Sequence, residues 1–121
     1  MKTRRDLVTA MLRRARIVGS SEPVPAEDFE IVASIYATKL EEWRDRDLVY
    51  WANTGNDVAE IPPIVFDTLV NLMINEGESQ FGKNINMSVL DRSLIEDRLL
   101  KRLRRHTHMK SSGLPVQPDY F

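Results

Sequence analysis

Leu7, Val8, Met11, Leu12 and Ala15 recur at helical spacing, and Arg4, Arg5, Arg13, Arg14 and Arg16 lie mostly off that stripe. Thr3 and Asp6 form a short capping-box signal ahead of it, and Gly19 with the Ser20–Pro25 segment stops it. The spacing predicts a first helix over about 4–17. Pro25, Glu27 and Asp28 then open a longer one, because acids suit the positive end of a helix dipole. Phe29, Val32, Ala33, Tyr36, Leu40 and Trp43 carry it through Arg46, with Ile31 and Ile35 on a flanking face where one turn is expected to meet a partner. Residues 47–61 lose the period. Leu48 to Trp51 favour extended structure, Asn53-Thr54-Gly55-Asn56 signals a turn, and Val58 to Ile61 either pairs back as a short hairpin or stays an irregular loop.

Pro62-Pro63 can open a third helix, which Ile64, Val65, Phe66, Leu69, Val70, Leu72, Met73 and Ile74 surround almost completely. Such a helix belongs at the centre of a core, ending near Glu78 to Gly82. Ser88 and Asp91 start a fourth helix, with Leu90, Leu94, Ile95, Leu99 and Leu103 expected to face inward. Beyond it the chain has two prolines and no period, the mark of an extended arm. The fold expected is all-α: a compact bundle of about four helices, a short β-hairpin or loop between the second and third, and an extended C-terminal arm. The helical domain is assigned to 1–105 and the arm to 106–121.

Composition narrows the setting. A chain of 121 residues reads as one domain and can bury about two-thirds of its unfolded surface. It has no cysteine, so disulfides and thiolate metal sites are excluded. The charged start lacks the apolar stretch of a signal peptide, and no apolar run approaches the roughly 20 residues of a membrane span. The expected location is the cytosol, or a particle assembled there.

Charge is sorted along the chain. Residues 1–16 carry six bases against Asp6, and residues 98–121 carry six against Asp119, while 17–97 holds sixteen acids and five bases. The blocks are +5, −11 and +5, a formal total of −1. Arg4, Arg5, Arg13, Arg14 and Arg16 at one end, and Lys101, Arg102, Arg104 and Arg105 at the other, are therefore candidates for electrostatic contact. Their counterparts are the acidic face of a neighbouring subunit, a polyanion such as DNA, or solvent alone.

Among the aromatics, Trp43 reads as core, whereas Tyr50 and Trp51 in the least regular segment are candidates for a partner interface. Leu114, Val116, Tyr120 and Phe121 are too apolar for a simple solvated tail, and docking by strand addition or into a groove is expected. His106 and His108 have no nearby Cys or carboxylate to complete a ligand set, so neither metal nor cofactor is expected. There is no Gly-rich phosphate loop, nucleophile elbow or His-Glu-x-x-His helix, and no catalytic role is expected.

Several of these residues together resemble a known family. Thr3, Asp6, Leu7, Val8, Ala10, Leu12 and Arg13, the stop at Ile17-Val18-Gly19, the acidic helix ending in Glu42-Trp43, the Tyr50-Trp51 stretch, and Ile61-Pro62 before an apolar helix form one pattern. Over about residues 3–80 it resembles the head-to-tail adaptor, or packaged-DNA stabilisation, proteins of short-tailed phages. After residue 84 the likeness is one of character, a helix and then an arm. The resemblance implies a mostly helical subunit that attaches below the portal ring in a twelvefold collar. There it retains packaged DNA without reading its sequence and offers a platform to later tail proteins. In that family the C-terminal arm grips the portal or a neighbouring subunit. The competing expectation is a small DNA-binding regulator using the arginine-rich terminal helices. It fits poorly, because the connections at 18–25 and 47–62 are long for a helix-turn-helix.

Overall fold

Thr3 acts as its place before the first apolar stripe implies. Its hydroxyl accepts from the Asp6 N–H and the Asp6 carboxylate accepts from the Thr3 N–H, both at 3.0 Å, completing the capping box. Helix α1 runs over Arg4–Arg14 and buries Leu7, Val8, Met11 and Leu12. It closes earlier than residue 17 because Arg16 turns left-handed (φ 60°), letting the Ile17 N–H reach back 2.9 Å to the Leu12 carbonyl.

The computed structural model describes residues 1–111, with side chains to Thr107. Among these residues the fold is a four-helix all-α bundle, with α2 over Ala26–Asp45, α3 over Pro63–Gly77 and α4 over Val89–Ser111. A short 3-10 turn, Glu78–Phe81, follows α3. Helix α2 buries the stripe read from its sequence: Phe29, Val32, Tyr36, Leu40 and Trp43. Helix α3 packs against α1, α2 and α4, burying Val65, Leu69, Val70, Leu72 and Met73. Burying each such side chain is worth about 1.5–3 kcal/mol before entropy is counted. Gly77 permits the close approach at the end of α3: a Cβ there would stand 3.2 Å from Met11 Cε and 3.4 Å from Ile35 Cδ1.

A strand does form between α2 and α3, but its partner lies at the other end of the chain. Strand β1, Lys2–Thr3, pairs antiparallel with β2, Ala59–Ile61, placing Lys2 opposite Ile61 and Thr3 opposite Ala59. The extended residues 48–51 instead turn inward, and Leu48, Val49 and Trp51 join the core.

Helix α4 departs from expectation in two ways. It continues to Ser111, so residues 106–111, assigned to the arm, are helical. Its inward face is also rotated. Leu99, Leu100 and Leu103 are buried, but Leu90 is 67% and Leu94 55% exposed. The cause is Arg92, which turns toward α3 in their place. Its guanidinium donates to the carbonyls of Asn75 and Asn84, each at 2.8 Å, and to Glu78 Oε1 at 3.3 Å, while Asn75 Nδ2 donates to the Arg92 carbonyl. A polar clamp fastens the start of α4, and apolar packing fastens the rest. No helix among the described residues is long and apolar enough to cross a membrane.

Candidate functional site

The basic residues at the two ends of the chain have different fates. Those of α1 are largely engaged within the chain. Arg4 donates to Asn56 Oδ1 (2.7 Å) and Asn53 Oδ1 (2.8 Å), and Arg5 forks onto Asp57 at 2.7 and 3.2 Å. Together they tie the 53–57 turn to the first turn of α1. Arg14 reaches Asp67 and Asn71 on α3, and Arg13 donates to the Glu22 carbonyl. Arg16 is exposed at the left-handed cap. The Arg5 hydrogen bond holds the Asp57 carboxyl below its ordinary value. These pairs lie in solvent, where water and salt screen their attraction.

The block on α4 is unmatched. Lys101, Arg102, Arg104 and Arg105, with Arg98, are all exposed, and none forms an ion pair among the described residues. Lys101 and Arg104 line a cleft of about 210 Å³ with Arg46, Leu48, Asp97 and Leu100. Arg46, the C-cap residue of α2, went unnoticed in the sequence because only the packing of α4 against the end of α2 brings it there.

Tyr50 and Trp51 part company. Trp51, expected at an interface, is a core residue, 5% exposed, with its indole N–H donating 3.1 Å to the Tyr36 hydroxyl. Its carbonyl accepts from Arg44 Nη2 at 2.6 Å. Burial pushes the Tyr36 phenol up to about 12, the Trp51 bond opposing that shift. Tyr50 is 38% exposed and stacks edge-on against Trp51, the centroids 5.2 Å apart. With Met1, Pro62, Pro63 and Ile64 it lines an apolar groove of about 360 Å³. Ile64, expected in the core, is exposed there.

Where α2, α3 and α4 meet, Lys39 Nζ lies 3.2 Å from Glu76 Oε1, and Glu96 of α4 stands against the same carboxylate. Hydrogen bonding to Glu76, then burial and repulsion, push the Glu96 carboxyl up to about 7. Among the described residues no three His, Asp or Glu side chains gather as a metal site, and the side chain of His108 falls outside them. Leu114, Val116, Tyr120 and Phe121 also lie outside the described residues.

Comparison with protein-family models, curated proteins and solved structures finds no match for this chain.

Proposed function

We propose that this protein is a structural, non-catalytic head-to-tail adaptor of a short-tailed phage. It attaches below the portal ring as one copy of a homo-oligomeric collar, helps to retain the packaged DNA and offers a platform to tail proteins. It works at the head–tail junction of the virion after assembly in the host cytoplasm. One observation carries the reading: residues that bear the resemblance occupy the joints of the fold. Thr3 and Asp6 cap α1, Ile17 to Gly19 follow its closure, Trp43 and Trp51 are buried, and Ile61-Pro62 links β2 to α3. A likeness due to composition alone has no reason to fall on those positions.

In this reading the groove at Tyr50 and Ile64 and the segment from Leu114 to Phe121 meet the portal or a neighbouring copy, and the unmatched bases of α4 face a subunit or DNA. Light scattering of the protein with its portal tests it. Addition of many subunits per ring supports the adaptor. A protein that leaves the portal mass unchanged, or an isolated dimer that binds one DNA sequence tightly, overturns it.

A further inference from the structure

We infer that the cleft between the end of α2 and the second half of α4 is a phosphate site for the backbone of nucleic acid, formed by Arg46, Lys101 and Arg104. This sharpens the adaptor reading, which leaves the basic ends facing a subunit or DNA, but the site belongs to the single subunit and needs no portal.

Three observations converge on it. Cations from two separate elements gather around one opening with Asp97 as the only acid on its wall. None of the three forms an ion pair among the described residues, in contrast to Arg5 and Arg14 at the other end of the chain. Asp97 on the wall and Glu96 near Arg46 offset only part of this charge, and the cleft stays net positive. Finally, the cleft belongs to a longer basic track that winds round α4, Lys101 and Arg104 lining it while Arg98 borders a separate cleft with Asn71 and Glu78. From Arg98 to Arg105 five exposed bases follow one another, and the sequence has no acid between Asp97 and Asp119.

The length of that track points to a polymer. Seven residues of helix rise about 10 Å, and duplex phosphates advance about 3.4 Å per strand along the axis. The track thus spans about three base steps. Leu48 and Leu100 complete the wall of the cleft, so a phosphate seated there exchanges some water for guanidinium and ammonium donors. The rival occupant is the outer face of α2 in a second copy, where Glu27, Glu30 and Asp45 are exposed. Those carboxylates spread along a helix, whereas three cations line a single cleft. One phosphodiester, its single charge shared by two non-bridging oxygens that both accept hydrogen bonds, fits that arrangement better. No base edge is read, so binding is indifferent to sequence.

Fluorescence anisotropy with the full chain and a labelled mixed-sequence duplex tests the site. The triple variant Arg46→Gln, Lys101→Gln, Arg104→Gln should bind at least tenfold more weakly. Its slope of log affinity against log salt should fall by about 2–3. A control with the same net charge change elsewhere, Lys2→Gln, Gln80→Glu, Lys83→Gln, should change affinity by less than twofold. All six positions are exposed, so far-UV circular dichroism should be unchanged. If the triple variant unfolds, Lys101→Gln alone should still lower the slope by about 1. Equal losses in both triples, or no binding by the native chain, overturn the proposal. So does inorganic phosphate that binds while DNA does not, which marks a free-anion site. Displacement of DNA by polyglutamate at equal charge reassigns the cleft to an acidic protein surface. Failure to bind portal leaves all these readouts intact and counts against the adaptor alone.

Discussion

Thr107 shows how much a single polar atom holds in this fold. Its hydroxyl donates 2.6 Å to the Leu48 carbonyl in a buried position, tying α4 to the chain leaving α2. Thr107→Val keeps the shape and leaves that carbonyl unpaired, a cost of about 1–3 kcal/mol. The urea midpoint should fall accordingly with an unchanged slope. Glu96 gives a test in pH. Its folded value, about 7, stands above the ordinary 4.5, so its contribution is complete below about pH 4.5 and is lost as pH rises through about 7. Glu96→Gln stays neutral, and the variant should gain on the native protein in thermal midpoint across that window. An unchanged difference between pH 4.5 and 8 would remove Glu96 from the account. Thr107 carried no signal in the sequence, because its partner is a main-chain carbonyl contributed by a distant segment. The Thr3–Asp6 box was legible, since both its partners lie within one turn.

The same contrast decides which elements could be read. Helices α1 and α2 have one dominant apolar stripe each, and packing follows it; α3, apolar almost all round, is largely buried but leaves Ile64 exposed. Helix α4 carries two leucine series, Leu90 with Leu94 and Ile95 with Leu99 and Leu103, both at helical spacing. Periodicity cannot choose between them. The choice is made by Arg92, whose bonds to Asn75, Glu78 and Asn84 turn the second series inward. Strand β2 falls where the sequence leaves a hairpin and an irregular loop both open, and its pairing was not legible, because Lys2 and Thr3 are too short a segment to show alternation. The rotation of α4 has a measurable consequence. Leu90→Gln with Leu94→Gln should move the unfolding free energy by no more than about 0.5 kcal/mol per site. Leu103→Ala should cost about 2–5 kcal/mol. Comparable losses in both would place Leu90 and Leu94 back in the core.

At the scale of the molecule, the two basic blocks differ: that of α1 is largely engaged within the chain, and that of α4 forms no ion pair among the described residues. Arg5 and Arg14 bring α1 onto Asp57 and Asp67 of the acidic middle, so part of the polarity in the sequence is spent inside a single copy. The bases of α4 and the apolar groove at Tyr50 and Ile64 stay exposed, and the core from Leu7 to Leu103 closes among the described residues without either. A fold complete in its core but open at these surfaces separates stability from assembly. Removal of residues 114–121 takes away none of the buried contacts named here. The truncated protein should keep its helical circular dichroism and its urea midpoint, while portal-bound mass in light scattering falls. If the truncation lowers the midpoint, that segment belongs to the fold; if portal-bound mass is unchanged, the segment is not the grip that the proposed adaptor role gives it.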